Sequence, residues 1–161
     1  MARQAGLLTL DGTNFCVEPA SCRFVDGLLS LTLRATDCQL YLPLIPFGDA
    51  GSISQLVGHS WCPSSDDLNA SDTLNEGGYI VIRDTEFVPH TLSVRCTAVD
   101  PSERWATFDF AMSGRFDDDD AFHDLAGFAD CRIDNPPCSH CGEPLRSANA
   151  QQCFACGAVW R

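Results

Sequence analysis

Four cysteines near the end of the chain, Cys138, Cys141, Cys153 and Cys156, carry the clearest chemistry in the sequence. They form two C-x-x-C pairs, each followed by a glycine (Gly142 and Gly157), with eleven residues between the inner cysteines. A C-x-x-C on a tight turn lets two thiolates reach one ion, and glycine takes a turn conformation that a Cβ would obstruct. Two such turns offer four sulfurs to one tetrahedral cation. With all four positions filled by protein, no place is left for a reactive water, so metal-assisted hydrolysis is not expected there.

The pattern C-S-H-C-G, ten residues, C-F-A-C-G resembles the zinc-ribbon family in its short form, built from two C-x-x-C-G knuckles. The resemblance covers residues 138–157 and says nothing about residues 1–134. It implies a structural Zn²⁺ held by the four cysteines. A thioredoxin-like redox pair fits poorly, because there are two C-x-x-C units and no βαβ pattern around either. Iron sites of rubredoxin type separate their knuckles by a much longer segment. Ribbons serve as nucleic-acid binders, as protein-docking knobs and as inert staples. Here the tail, residues 135–161, has a formal charge of only +1, and Zn²⁺ with four thiolates is a dianion, so the basic patch needed for phosphate contacts is missing. Phe154, Val159 and Trp160 are the candidates for docking, onto the rest of the chain or onto a partner. His140, inside the first knuckle, is expected to be exposed and not a ligand.

Other residues could do chemistry on paper. His59 and Cys62 sit three apart in Gly-His-Ser-Trp-Cys, a minimal nucleophile pair, and they carry the alternative of a small enzyme with its site near residues 60–77. No oxyanion motif accompanies them. Asp67, Asn69, Ser71 and Asp72 have calcium-type spacing, but Asp72 stands where an EF-hand needs glycine and Gly78 where it needs glutamate. Asn69-Ala70-Ser71 is a formal glycosylation sequon, without consequence in a cytoplasmic protein. His90 and His123 are expected to be structural.

The 161 residues hold 22 acids against 10 bases, a net charge of -12, and every base is arginine. Without lysine, Schiff-base chemistry and a phosphate-binding P-loop are excluded. Residues 1–134 carry 21 acids and 8 arginines, net -13, so the acidity belongs to the larger part of the chain. Such a surface repels nucleic acid and anionic membranes and suits a basic protein partner. Ten cysteines, with a hydrophobic stretch that ends at Asp11 and is too short for a secretory leader, point to the reducing cytoplasm. The apolar runs 6–10 and 41–47 are far shorter than the roughly 20 residues that span a bilayer.

The elements that must position these residues read as strands. Asp11-Gly12 and Asp26-Gly27 suit the two positive-φ positions of type I′ hairpins, between 7–10 and 15–17 and between 22–25 and 28–33. Leu29, Leu31 and Leu33 alternate with polar neighbours, the period of a half-buried strand. Further strands are predicted at 38–44, 53–57 and 78–83. A hairpin, 92–99 with 104–112, turns through Asp100-Pro101-Ser102-Glu103 and sets Ala106, Phe108, Phe110 and Met112 on one face. Cys16, Cys22, Cys38, Cys96 and Cys131 fall mostly on strand positions, as small buried hydrophobes. Residues 60–77 lack alternation and read as a long surface loop. The acids Asp117, Asp118, Asp119 and Asp120 precede Ala121, Phe122, Leu125 and Ala126, a pattern that predicts a short helix over 117–127 with Asp120 as N-cap. Asn135-Pro136-Pro137 reads as a stiff linker.

The expectation is therefore a mainly β protein: an antiparallel β-sandwich or barrel over residues 1–134 with one short C-terminal helix, then a zinc-ribbon tail over residues 135–161. The expected role is a non-enzymatic protein-interaction module, an inhibitor or immunity-type protein or a complex subunit, with Asp117, Asp118, Asp119, Phe154, Val159 and Trp160 as contact residues.

Overall fold

A computed structural model describes residues 6–47, 50, 52–145 and 150–160. The stretch weighed as a leader begins in residues 1–5, and Arg146 and Arg161, which contribute the tail's positive charge, also lie outside the described residues. The chain builds β1 (Gly6–Leu10), β2 (Thr13–Val25), β3 (Leu28–Ala35), β4 (Cys38–Pro46), β5 (Ser60–Trp61), α1 (Ser65–Asn69), α2 (Asp72–Asn75), β6 (Tyr79–Ile82), β7 (Thr85–Asp100), β8 (Trp105–Phe116) and β9 (His123–Ile133).

Eight of the strands close a barrel in the order β7-β6-β4-β3-β2-β1-β9-β8, with β8 returning to β7; β5 is added outside the ring against β7. Every pairing is antiparallel except one. β1 is only five residues long, and beyond its end β2 and β9 meet directly in parallel, Ser21 opposite Arg132 and Cys22 opposite Ile133. Closure joins the two ends of the main sheet, which is how a barrel limits its edges, while β5 has a partner only on its β7 side.

Local sequence explains most of this. Asp11 and Gly12 (φ 46° and 87°) and Asp26 and Gly27 (φ 53° and 81°) make the two expected hairpin turns. The alternating leucines Leu29, Leu31 and Leu33 face inward and are fully buried, as are Ala106 and Phe108, and Phe110 and Met112 nearly so. An eight-stranded barrel has an interior just wide enough for side chains to fill, and here it is packed with leucine, isoleucine and phenylalanine. Cys22, Cys38, Cys96 and Cys131 are part of that packing, whereas Cys16 points outward and is exposed. Burial pushes the Cys38 thiol up to about 11 and the Cys96 thiol up to about 12. A hydrogen bond with Cys131, reinforced by burial, raises the Cys22 thiol too. These thiols therefore stay neutral and behave as apolar groups.

The structure corrects several expectations. The segments 15–17 and 22–25 belong to one long strand, β2, with an irregularity between Val17 and Ala20. Residues 53–57 do not form a strand: Ile53–Leu56 is a 3₁₀ turn that buries Ile53 and Leu56. Residues 60–77 are not a plain loop, since they contain β5, α1 and α2. In α1, Ser64 caps the helix by accepting from the Asp67 N–H and donating to the Asp67 carboxylate at 2.8 Å. β6 has only four residues and pairs with β4 only as far as Tyr41; the excursion fills the remaining gap in the wall with Ile53, Leu56 and Leu68.

The predicted helix over 117–127 is absent. Residues 117–122 form a turn and an irregular segment, and β9 begins at His123. The short helical elements lie at 65–69 and 72–75 instead. Gly127 shows why a strand belongs here. Its missing Cβ lets β1 pass close by, and a methyl group at this position would press on the Leu7 carbonyl oxygen. Gly127→Ala is accordingly expected to lower stability by about 1–3 kcal/mol, the usual cost of overpacking, as measured by urea unfolding; an unchanged midpoint would show that β1 and β9 have slack.

Candidate metal centre

After β9 the chain makes two knuckles that repeat each other fifteen residues apart. The Cys138 N–H donates to Glu143 O at 2.8 Å and the Gly142 N–H to Cys138 O at 2.9 Å; the Cys153 N–H donates to Ala158 O and the Gly157 N–H to Cys153 O, both at 2.8 Å. The outer rungs match as well, Leu145 N–H to Pro136 O at 2.7 Å and Trp160 N–H to Gln151 O at 2.9 Å. Gly142 (φ 78°) and Gly157 (φ 76°) both occupy the left-handed region, the conformation anticipated for them.

The knuckles bring all four cysteine sulfurs to one place, within 4.8 Å of one another. Across the two turns, Cys141 Sγ lies 3.7 Å from Cys153 Sγ, and Cys138 Sγ 3.9 Å from Cys156 Sγ. A disulfide requires about 2.05 Å. A tetrahedron of sulfurs about 2.3 Å from a central ion has edges of about 3.8 Å, so the cluster has the dimensions of a tetrathiolate metal site and not of two cystines. The first cysteine of each knuckle, Cys138 and Cys153, is buried, and the second, Cys141 and Cys156, is exposed.

Electrostatics favour a cation at the centre. The backbone N–H groups of Cys141 and His140 hold the Cys138 thiol down to about 6. Cys141 is pushed up to about 12: the Glu143 N–H pulls the other way, but desolvation and the sulfurs of Cys156, Cys153 and Cys138 prevail. Four sulfurs this close cannot all ionise alone, whereas a divalent ion deprotonates them together.

Two clamps attach the knuckles to the barrel. Where the β2–β9 ladder ends, the Asp134 N–H donates to Cys22 O at 2.8 Å. The buried side chain of Asn135 then continues it: Oδ1 accepts from the Phe24 N–H at 2.9 Å, and Nδ2 donates at 2.7 Å to both Phe24 O and Leu145 O. A single amide thus imitates a strand residue on one side and grips the tail on the other. The Arg104 guanidinium reinforces the junction, donating to Ile133 O and Asn135 O at 2.9 and 2.6 Å. The second clamp is Ser54 Oγ on the 3₁₀ turn, donating to a Glu143 carboxylate oxygen at 2.7 Å. In place of the expected linker, Asn135 is an anchor.

Among the remaining residues of the sequence reading, Phe154 and Val159 are exposed by 61% and 68%. Trp160 packs against the buried cluster of Cys138, Leu145 and Cys153 and stacks on the exposed His140. His59 and Cys62 flank β5, both exposed, and no hydrogen bond joins them. Asp67 is used in capping α1, so the calcium-type spacing has a helical explanation.

Sequence reasoning missed one cluster. His123 lies between two carboxylates, Nδ1 at 2.6 Å from Asp11 and Nε2 at 2.9 Å from Asp119, tying the β1–β2 turn and the acidic segment to the start of β9. With both carboxylates ionised, the imidazolium is the form that can donate from both ring nitrogens at once. Hydrogen bonds to the carboxylates of Asp11 and then Asp119 raise the His123 pKa above its ordinary 6.5. His123 lowers the Asp11 pKa below 3.8; for Asp119 the Ala121 N–H does so first and His123 second. The histidine's contribution to stability is complete below pH 6.5 and fades as pH rises through the raised value; the carboxylates' contribution fades as pH falls through theirs, below 3.8. Melting temperature is expected to fall between pH 6 and 9 in the wild type and to fall less in His123→Gln. Parallel slopes in the two proteins would show that the histidine does not hold the junction.

Fold and site together define a closed, acidic β-barrel carrying a C-terminal cluster of four cysteines able to hold one metal ion. Compared with family models, curated proteins and solved structures, the chain matches none. No helix among the described residues is long and apolar enough to cross a membrane.

Proposed function

We propose that the protein is a non-enzymatic interaction module: an acidic barrel, residues 1–134, bearing a structural zinc ribbon, residues 135–161, that docks a basic partner protein. An inhibitor or immunity-type protein or the subunit of a complex would be built this way. The observation that carries the reading is the sulfur cluster, whose edges suit Zn²⁺ and whose four protein ligands leave the ion no open position for chemistry. The tail's own small buried cluster, separate from that of the barrel, supports the division into two units. The exposed Phe154 and Val159 are the apolar contacts such a knob offers, and the exposed Asp117 and Asp118 lie on the barrel beside Asp119. Thiols throughout, with no disulfide, fit the cytoplasm.

The test has two parts. Elemental analysis of purified protein is expected to give one zinc per chain, and capture from native extract is expected to recover a stoichiometric basic protein that Phe154→Ser with Val159→Ser fails to hold. Substoichiometric metal, or a monomer with no partner, would overturn the reading.

A further inference from the structure

We propose that the cysteine cluster is a site of reversible oxidation: hydrogen peroxide attacks the exposed Cys141 or Cys156, and a disulfide then forms across the knuckles, Cys141 with Cys153 or Cys156 with Cys138, releasing the ion. This rests on the zinc-ribbon reading above and deepens it by naming how the docking module is switched off.

Exposure and ionisation sort the cysteines into those attacked, those that resolve and those that stay inert. Cys141 and Cys156, the second ligand of each knuckle, are exposed, whereas Cys138 and Cys153 are buried. Both exposed residues line one cleft, together with Ser54 of the 3₁₀ turn, so a small oxidant meets them from the same side. As metal ligands they are thiolates at neutral pH, and the thiolate is the form that reacts. In the barrel, Cys22, Cys38, Cys96 and Cys131 are buried, and the raised thiols of the first three stay neutral. Cys16 and Cys62 are exposed but stand outside the cluster. Peroxide is uncharged, so the net charge of -12 does not hold it off as it would an anionic oxidant.

The resolving thiolates are already in place. Cys141 Sγ faces Cys153 Sγ at 3.7 Å, and Cys156 Sγ faces Cys138 Sγ at 3.9 Å, each pair joining one knuckle to the other. In the first step the electron pair of an exposed thiolate attacks a peroxide oxygen. An S–O bond forms, the O–O bond breaks, and the departing hydroxide takes a proton from solvent to become water. The sulfur is then a sulfenic acid, oxidised by two electrons, and the peroxide is reduced. In the second step the facing thiolate attacks that sulfur, the S–S bond forms, the S–O bond breaks, and a second hydroxide leaves as water after protonation. Two thiolates, one peroxide and two protons thus give one disulfide and two waters, and the ion loses two of its four ligands. Cys138 and Cys153 are also two of the three buried residues of the tail's cluster, so oxidation alters the core of the knob together with its ion.

The experiment treats the full, zinc-loaded chain with a small molar excess of hydrogen peroxide. Released zinc is followed with a colour-forming chelator, and disulfides are mapped by mass spectrometry after free thiols are blocked. Zinc release is expected to rise about tenfold or more over untreated protein, with bridges between Cys141 and Cys153 or between Cys138 and Cys156. Dithiothreitol with added zinc should restore the loaded protein. Cys16→Ser with Cys62→Ser, which removes the exposed thiols outside the cluster, should leave the release rate within about twofold.

Zinc retained under peroxide that oxidises Cys16 or Cys62, bridges confined to single knuckles, or release abolished in the Cys16→Ser, Cys62→Ser variant each overturns the proposal. Sulfinic or sulfonic acid as the main product does so too, because thiols do not reverse it. Protein isolated without zinc would instead refute the ribbon reading itself. Stoichiometric zinc that survives peroxide would refute this inference alone.

Discussion

Removing the metal with a chelator, or replacing Cys138 by serine, is expected to unfold residues 136–160 while the barrel keeps its structure. The reason is the size of the tail's core. Cys138, Leu145 and Cys153 are its only buried apolar residues among those described, with Ala150 and Trp160 packed against them. Ordering a backbone costs roughly 1–2 kcal/mol per residue, which a cluster of this size cannot offset. Structural zinc in small peptides supplies about 10–16 kcal/mol at neutral pH, enough to hold such a segment. Hydrogen exchange should show the amides of Gly142, Cys153 and Gly157 losing protection on chelation while those of β3, β8 and β9 retain it. Retained protection in the knuckles of the metal-free protein would mean that the turns hold themselves, and the case for a structural ion would fall.

Asn135→Ala is expected to be among the most damaging single substitutions in the chain, at about 3–5 kcal/mol. The amide makes three hydrogen bonds of 2.7–2.9 Å in a site where it is 1% exposed. Truncation leaves the Phe24 N–H and the carbonyls of Phe24 and Leu145 without these partners, and a buried polar group so stranded costs roughly 1–3 kcal/mol. Asn135→Asp separates shape from bonding: it preserves volume and the acceptor but turns a carboxylate oxygen towards two carbonyls, so it should be at least as harmful. Urea unfolding measures both. A loss below about 1 kcal/mol for the alanine variant would show that solvent replaces the clasp, and that the knuckles are only loosely attached.

The cysteine cluster was legible because its information is local. C-x-x-C-G is sufficient to fix each knuckle, and the pairing of the two knuckles adds only short-range geometry. The Asp-Gly hairpins, the leucine alternation in β3 and the long β7–β8 hairpin were legible for the same reason. β9 was misread because its inward positions after Leu125 are Gly127, Ala129 and Cys131, small residues, the first two close against β1, which weaken the period-2 signal. The acids before it mimic the start of a helix, but Asp119 is used to hold His123 and to accept from the Ala121 N–H. Asn135 was read as part of a linker because its partner Phe24 is 111 positions away, and no local pattern records a bond of that reach.

The direct seam between β2 and β9 bears on how the chain is made. Residues near position 21 must wait for residues near position 132, so during synthesis the nascent wall remains an open, curling sheet until almost all of it has left the ribosome. Pairing across such a sequence separation is slow, and the unfinished sheet presents bare edges prone to sticking. The strand that ends this vulnerability is followed two residues later by Asn135, so completion of the ring is followed directly by emergence of the knuckles and their four cysteines. A ribosome stalled before position 133 would release a species far more prone to aggregate than the finished protein.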